Sequence, residues 1–342
     1  MTPRTLGPRA LNRALLARQL LLERSPLSIV DALEQVGGLQ TQYSPSGYVG
    51  LWTRLASFRR EELTAALEDR SAIQATLMRV TIHTVARGDF WRFAVGVRRA
   101  RRAAASGIRA LPPEAELRAR SALLAAALAN GPRTVRELGE LASGFIGTLG
   151  LWVDLVRVPP SGTWDRRRAD RLDLAETWVG PSDVTEQEGL AHLVRACLRG
   201  FGPARWADIA GWAGISVADA QRGGAELSLV RYRDEAGREL VDLPDLPLPD
   251  ADVPAPVRFL APFETITLVG FRRARILPEE HRPKLFATGN QWAVGTVLVD
   301  GRVVASWSFR DGTVRVQPLE EIGRRDADAI EAERAALEAF HR

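Results

Sequence analysis

The segment Val36-Gly37-Gly38-Leu39-Gln40-Thr41-Gln42 is the point from which the organisation of this chain can be worked out. An apolar, helix-like run over residues 29–36 leads into the glycine pair, and two glutamines then flank one small residue. Because side chains of an extended segment alternate between two faces, Gln40 and Gln42 are expected to point the same way. Two interpretations are open. The amides hold one water or one polar substrate group, or the segment is a helix C-cap followed by a polar loop.

The composition is that of an ordinary globular protein. The chain has 342 residues, of which 46% are hydrophobic and 26% charged, enough for about two or three domains. Cys197 is the single cysteine, which excludes an internal disulfide or a thiolate metal cluster and fits a reducing, cytoplasmic setting. No apolar run has the length that a bilayer requires, and the N-terminus lacks the apolar core of a signal peptide.

Positive charge is carried almost wholly by arginine. The net charge is +4, and Lys284 is the single lysine. Arginine forks suit phosphates and base edges, but a net charge this small does not by itself indicate nucleic-acid binding. Four arginines cluster near the end of a helix expected over residues 89–105, either on a solvated helix face or against DNA phosphates. They are Arg98, Arg99, Arg101 and Arg102.

The first third of the chain has the outline of a winged helix. Apolar spacing predicts helices over residues 11–22, 29–36, 49–58 and 60–69, with a turn-rich loop over 43–48. Ser28 is expected to cap the second helix. Residues 73–85 are rich in β-branched and alternating apolar side chains, which predicts strand pairing. A proline-containing linker over 110–113 ends this unit.

Two later stretches resemble each other, namely LAAALANGPRTVRELGEL (124–141) and VRACLRGFGPARWADIAGWA (194–213). Each has an apolar helix, a Gly-Pro turn, an arginine and a second helix, and a strand-turn-strand segment follows (152–164 and 227–241). The predicted fold is therefore α+β, with three tandem winged helix-turn-helix units over residues 1–110, 111–180 and 181–245.

The remaining residues, 246–342, predict a small C-terminal antiparallel β unit. Strand-like runs cover 265–269, 292–299, 303–309 and 313–316, and Asp300-Gly301 is a strong two-residue hairpin signal. A helix over 325–340 closes the chain.

The runs GGLQTQ (37–42), YVGLWTRL (48–55) and ATLMRVTIHTV (75–85), with the two later helix-turn-helix units, resemble the AlkZ-type winged-helix DNA glycosylases over nearly the full length. That family has a catalytic Gln-x-Gln run with an aliphatic middle residue, where this chain has Thr41. A related branch, similar to YcaQ, has Asp in place of the second glutamine, so Gln42 favours the AlkZ branch. The resemblance implies three winged helices around a concave DNA channel, and a role in bacterial self-resistance to DNA-alkylating antibiotics.

The chemistry of the glutamine pair is consistent with a narrow substrate class. Glycosidic hydrolysis usually needs a carboxylate, and a neutral amide is a poor base. Alkylation at guanine N7 makes the base a cation, so that no proton need be donated to the leaving group. Our hypothesis is that Gln40 and Gln42 are catalytic and orient the water in a monofunctional DNA glycosylase of base excision repair. Its partner would be double-stranded DNA carrying alkylated guanine, including bulky adducts and interstrand crosslinks, bound by a monomer without cofactor or membrane.

Other candidate DNA-binding residues lie around the glutamines. Arg79 and His83 belong to the predicted wing, although a lone histidine in a strand is more often structural. Tyr43 follows the glutamines and either stacks on DNA or packs in the fold.

Other functional classes have less support. The four histidines are widely spaced, with no His-Glu-x-x-His run and no phosphate loop, so no metal site is predicted. The main alternative is a non-catalytic winged-helix DNA-binding protein such as a transcription regulator, which usually has one such unit and dimerises.

Overall fold

The computed structural model describes residues 3–108, 112–141, 152–268, 275–286 and 294–342, and it confirms the α+β class. The helices are α1 Pro8–Arg18, α2 Ile29–Val36, α3 Pro45–Arg54, α4 Arg60–Glu68, α5 Arg87–Ile108, α6 Glu114–Leu128, α7 Val135–Leu138, α8 Ala175–Trp178, α9 Glu186–Phe201, α10 Trp206–Ala213, α11 Val217–Gly224, α12 Thr265–Leu268, α13 Arg282–Phe286 and α14 Arg324–His341. The strands are β1 Arg4–Leu6, β2 Leu39–Gln40, β3 Ala72–Thr76, β4 Ile82–Ala86, β5 Arg133–Thr134, β6 Leu155–Arg157, β7 Arg171–Leu174, β8 Val230–Asp234, β9 Glu239–Asp242, β10 Arg258–Leu260, β11 Gly295–Val299, β12 Arg302–Arg310 and β13 Thr313–Pro318.

Helix α2 has the ends that its sequence predicts. The Ser28 hydroxyl accepts a hydrogen bond from the Asp31 N–H at 3.2 Å, which caps the helix N-terminus. Gly37 ends the helix in the left-handed region with φ 75°. Gly38 follows with φ 80°, and a Cβ on it would lie 2.7 Å from Val85 Cγ1. The glycine pair therefore both ends α2 and lets the chain run against β4.

The strands of the expected first and second units form one sheet. Its order is β2-β4-β3-β6-β7-β5, and all of its ladders are antiparallel. The two units meet at the antiparallel pair β3–β6, where Gln74 is opposite Arg157 and Ala75 is opposite Val156. The expected boundary near residue 110 thus crosses a continuous sheet, which fixes the two units to each other.

The expected third unit comprises α9, α10, α11 and the hairpin β8–β9. Its long helix α9 packs directly on α5, where Gly189 and Gly96 bring the two backbones together. A Cβ on Gly189 would lie 2.5 Å from the Gly96 nitrogen. Strand β1 pairs in parallel with β8, so the first residues of the chain pack on the third unit.

The C-terminal unit is an antiparallel sheet in the order β10-β11-β12-β13, covered by α14. The expected Asp300-Gly301 hairpin joins β11 to β12, with φ 46° and 77°. A buried ion pair connects this unit to α3, since Arg54 donates to both oxygens of Glu264 at 3.1 and 3.0 Å. The C-terminal unit is therefore held rigidly beside the glutamine segment.

Three local predictions were wrong. Residues 265–268 form α12 rather than a strand, because the Glu264 carbonyl accepts from both the N–H and the hydroxyl of Thr267. Residues 45–48 open α3 rather than a loop, because Pro45 suits the first helical turn. The second strand of the 152–164 segment lies instead at Arg171–Leu174. Residues 110–111 of the expected linker and 292–293 of an expected strand lie outside the described residues.

Candidate active site and nucleic-acid interface

The glutamine segment is held as a short strand against the wing of the first unit. Gln40 lies opposite His83 in the β2–β4 pair, and the Thr41 N–H donates to the Ile82 carbonyl at 2.8 Å. The Thr41 side chain is buried, with its hydroxyl 3.0 Å from that of Thr84. The residue between the glutamines therefore points into the protein, as the alternation of an extended segment requires.

Gln40 is anchored by an arginine of the wing. It is 7% exposed, and its Oε1 accepts from the Arg79 guanidinium at 2.8 Å. Arg79 also donates to the carbonyl of Trp212 in α10, so it ties Gln40 to the third unit. Arg79 has a φ of 54°, which is unusual for a residue with a side chain. The two hydrogen bonds supply a reason for that conformation.

Gln42 is exposed, and its Oε1 accepts from the Ile82 N–H at 3.1 Å. Arginine and backbone N–H groups only donate, so these contacts identify the oxygen end of each amide. Each oxygen keeps a second lone pair, and each amide keeps a free NH₂ end for a further partner. Both glutamines are therefore positioned by the wing before any substrate arrives.

His83 lies behind the glutamines rather than on the surface. It is buried, its Nδ1 is 3.0 Å from the Thr81 carbonyl, and its Nε2 is 3.4 Å from Arg79. Burial, and then the Arg79 cation, lower the pKa of His83 to about 3. A neutral ring that donates from Nδ1 and faces Arg79 with Nε2 satisfies both contacts. This geometry favours the structural interpretation of His83 over a direct contact with DNA.

Tyr43 connects the glutamine segment to the second unit. Its side chain is 38% exposed, and its hydroxyl accepts from Arg167 at 3.0 Å. The Ser44 hydroxyl donates to the Arg167 carbonyl at 2.6 Å. Arg167 belongs to the loop between β6 and β7, so the loop of the second unit lies directly beside the glutamines.

A cleft of about 620 Å³ opens from Gln42. One wall is the segment from Tyr43 to Val49, the second is the β6–β7 loop, and the third is the C-terminal unit. Phe309 and His341 stack in this third wall, with ring centroids 4.2 Å apart. The aromatic and cationic side chains that line the cleft are Tyr43, Trp164, Arg167, Phe263, Trp307, Phe309, Arg310 and His341.

The arginines at the end of α5 are placed differently from the glutamines. Arg98 donates to Asp154 at 2.7 Å, Arg99 pairs with Asp219, and the Arg102 guanidinium lies 5.6 Å from the Trp152 ring. Arg101 is 6% exposed, and burial lowers its pKa to about 10, so it stays charged at neutral pH. These contacts join α5 to the second and third units. Arg99 nevertheless stays 60% exposed, so a contact between this end of α5 and DNA remains a prediction.

The sequence analysis did not predict the residues of the second and C-terminal units that line the cleft. The signal available for one of them was the run Arg166-Arg167-Arg168, three exposed arginines just beyond the predicted strand-turn-strand segment 152–164. Phe309 and Arg310 gave no such signal, because they belong to an alternating strand whose packing partners come from distant segments.

The described residues contain no cluster of three or more His, Cys, Asp or Glu side chains suited to a metal ion. Within the same residues, no helix combines the length and apolar character needed to cross a membrane.

Comparisons with known proteins agree with this architecture. A sequence model of the family described as "DNA glycosylase AlkZ-like" matches residues 33–340. The structure of a Streptomyces sahachiroi DNA glycosylase AlkZ superimposes with a TM-score of 0.80 at 19% identity, covering 98% of this chain and 97% of that one. At that identity the likeness establishes a common fold. A search of curated protein sequences gave no significant match.

Proposed function

We propose, on the premise that this chain belongs to the AlkZ-like DNA glycosylase family, that it hydrolyses the N-glycosidic bond of cationic N7-alkylguanine in double-stranded DNA. Membership of a DNA glycosylase family supports a role in the repair of alkylated DNA. The choice of lesion rests on the chemistry of the two glutamines.

The observation that carries the proposal is the amide pair fixed by the wing. The oxygen of Gln40 accepts from Arg79 and that of Gln42 from the Ile82 N–H. An amide so held can orient a water through its remaining lone pair or its NH₂ group, but it cannot take a proton as a carboxylate does. The glycosidic bond of the substrate must therefore already be activated before the enzyme binds it.

N7 alkylation supplies that activation. As the C1′–N9 bond breaks, its electron pair passes to the base and neutralises the positive charge at N7, while positive charge develops on the sugar. Charge is thus transferred rather than created, so an anionic stabiliser is needed less than for a neutral base. Water oxygen forms the new bond to C1′, its proton leaves to solvent, and the products are an abasic sugar and a neutral alkylguanine.

The other candidate residues have different roles in this proposal. Arg79 acts through Gln40, and the buried His83 supports Arg79. Tyr43, which is partly exposed at the cleft, contacts the DNA. The α5 arginines hold the second and third units in register, because three of them contact residues of those units.

A monofunctional reaction is part of the proposal. Bifunctional cleavage needs an amine that forms a Schiff base with the sugar. The single lysine, Lys284, donates to the Leu319 carbonyl in the C-terminal unit. Water held by the glutamines is therefore the nucleophile that we assign.

The finer features of the proposal concern architecture and biology. Three winged helix-turn-helix units would surround the DNA, with α9–α11 and the β8–β9 hairpin as the most regular of them. A monomer would then suffice to contact both sides of a lesion. Bulky adducts and interstrand crosslinks of DNA-alkylating natural products are the substrates that we propose, with self-resistance as the biological role.

The proposal is tested with a duplex that contains one 7-methylguanine. Wild-type protein should release free 7-methylguanine, detected by mass spectrometry, and leave an abasic site that breaks only after alkali. Strand breaks without alkali would contradict the monofunctional reaction. Retention of the duplex in a gel without any released base would favour the alternative, a non-catalytic winged-helix DNA-binding protein.

A further inference from the structure

The tip of the first wing, between β3 and β4, has an unusual backbone. Arg79 and Val80 are consecutive left-handed residues, with φ 54° and 58°. This region disfavours any residue with a Cβ, and a branched side chain such as that of valine most of all. Within the tip, the Val80 N–H donates to the Leu77 carbonyl at 3.2 Å. Such a conformation persists where neighbouring structure holds it, so the contacts between the tip and the other units decide its shape.

The third unit supplies that neighbouring structure through the turn between α10 and α11. Gly214 ends α10 with φ 75°, and its N–H donates to the Ala210 carbonyl at 2.8 Å. A Cβ on Gly214 would lie 2.9 Å from the Arg79 nitrogen and 3.0 Å from the Arg79 Cα. The backbones of the turn and of the wing tip are therefore in direct contact, and both this contact and the left-handed φ require glycine at position 214.

The same end of α10 contacts the glutamine segment from two sides. Arg79 donates to the Trp212 carbonyl and to Gln40 Oε1, the latter at 2.8 Å. The Trp212 side chain is buried and reaches Gly37, where a Cβ would lie 3.1 Å from Trp212 Cζ2. Helix α10 therefore supports both the glycine that leads into the glutamine segment and the arginine that orients Gln40.

We propose that Gly214 is a positioning residue for Gln40. Because Gly214 has no side chain, it lets the third unit hold Arg79 in the left-handed conformation from which the guanidinium reaches the Gln40 oxygen. The inference rests on the proposed glycosylase function and adds that the third unit completes the glutamine pair of the first unit. Gly214 acts through Arg79, so its effect depends on that side chain.

The test measures single-turnover release of 7-methylguanine from a duplex over a range of protein concentrations. Such a series separates the rate at saturating protein from the half-saturating protein concentration. The first variants are Gly214→Ala and its matched control Gly312→Ala. Gly312 has the same φ of 75° in the turn between β12 and β13, and a Cβ there would lie within 4 Å of no described atom.

Gly214→Ala should lower the saturating rate about fivefold, because the added Cβ displaces Arg79 and with it Gln40. The half-saturating protein concentration should stay within about twofold, since the added Cβ points at the wing tip. Gly312→Ala has the same left-handed backbone without the contact, so both quantities should stay within about twofold of the wild type.

Two further variants isolate the contact from the backbone strain and from general destabilisation. Gly214→Asn carries the same Cβ, but asparagine adopts the left-handed region more readily than alanine, so this variant should fold and should be slowed by a similar factor. Adding Gly214→Ala to Arg79→Ala should change the saturating rate by less than about twofold, because the guanidinium that the contact positions is already absent. Thermal unfolding of each variant shows that it is folded at the assay temperature.

The remaining outcomes contradict the inference in different ways. A wild-type saturating rate in the folded Gly214 variants would mean that the contact serves stability alone. If Gly214→Ala slows Arg79→Ala as much as it slows the wild type, Gly214 acts by a route that does not include Arg79. A higher half-saturating concentration at an unchanged saturating rate would place Gly214 in the DNA-binding surface instead. If the wild-type protein releases no 7-methylguanine, the glycosylase function itself fails and the inference falls with it.

Discussion

The glutamine segment and the arginine-rich end of α5 are the two regions that the sequence marks for function, and the structure treats them in opposite ways. Gln40 and Gln42 are uncharged, yet Gln42 is exposed at a cleft and both amides are oriented by donors from the wing. The α5 arginines carry the densest charge, yet Arg98 and Arg99 have carboxylate partners and Arg101 is buried.

The difference teaches that charge density in a sequence does not indicate an accessible charged surface. An arginine that faces an acidic side chain of another unit joins the two units, and DNA would have to compete with that partner. A neutral amide with its oxygen already fixed is ready to orient a substrate at no further entropic cost. We therefore propose that the glutamines carry the chemistry and that the contacts of the α5 arginines serve assembly.

The largest expected effect is a loss of base release when a glutamine of the glutamine segment is replaced. Gln42→Ala should lower single-turnover release of 7-methylguanine about 100-fold, a loss typical of removing one oriented polar group at a reaction centre. Thermal unfolding should be unchanged, because the side chain is exposed. Gln221→Ala, which removes an exposed glutamine from α11, is the matched control. A wild-type rate in Gln42→Ala would remove the glutamines from the mechanism.

The next largest effect is expected in the pH dependence of the unfolding free energy, which should reveal His83 in the glutamine region. The pKa of His83 is lowered to about 3, below its unfolded value of about 6.5. The neutral, buried ring of His83 therefore contributes fully to the unfolding free energy above pH 6.5, and this contribution is lost as the pH falls towards 3. Between pH 7 and pH 5 the wild type should lose about 2 kcal/mol more unfolding free energy than His83→Gln. Urea unfolding at both pH values measures this difference. Equal losses of unfolding free energy in the wild type and in His83→Gln would mean that His83 takes up a proton as readily in the folded protein as in the unfolded chain. Arg101 of α5, whose pKa burial lowers to about 10, stays charged over this range.

A smaller effect is expected at Arg79, which belongs to the glutamine region although it is an arginine. Arg79→Ala should slow base release about tenfold, since Gln40 loses the donor that orients it. Affinity for the lesion duplex and its salt dependence should stay near those of Arg195→Ala, an exposed arginine on α9. Arg79→Lys should recover part of the rate. A loss in affinity with a reduced salt slope would instead make Arg79 a phosphate contact.

The smallest effect is expected at Arg99 in the other region. Its side chain is 60% exposed and paired with Asp219, so Arg99→Ala should change the unfolding free energy by no more than about 0.5 kcal/mol. Base release should stay within about twofold. A clear fall in DNA affinity that steepens at low salt would show that the α5 arginines contact DNA after all.

Local signals in the sequence were sufficient for the glutamine segment and its helix. Ser28 as the N-cap and Gly37 at the end of α2 follow from nearest-neighbour chemistry, and both are confirmed. The hairpin at Asp300-Gly301 is confirmed for the same reason. Each of these features depends on side chains and backbone within a few residues of one another.

Features that depend on distant partners could not be predicted in this way. The β3–β6 joint pairs residues about 80 positions apart, and the Arg54–Glu264 ion pair spans 210. Arg167 reaches the Tyr43 hydroxyl across 124 positions, so the cleft emerges only when the units are assembled. The strand pattern over 265–269 gave a wrong prediction for residues 265–268, because the hydrogen bonds from Thr267 to the Glu264 carbonyl outweighed the local β propensity.

The most direct test of the account is a pair of isosteric lesions in one duplex, 7-methylguanine and 7-methyl-7-deazaguanine. The two bases have nearly the same shape, and only the first carries a positive charge. We predict that the wild type releases 7-methylguanine well above the spontaneous rate and leaves the neutral isostere in place. Release of both bases at similar rates would contradict the central claim, because two neutral amides would then be breaking a glycosidic bond that alkylation had not activated.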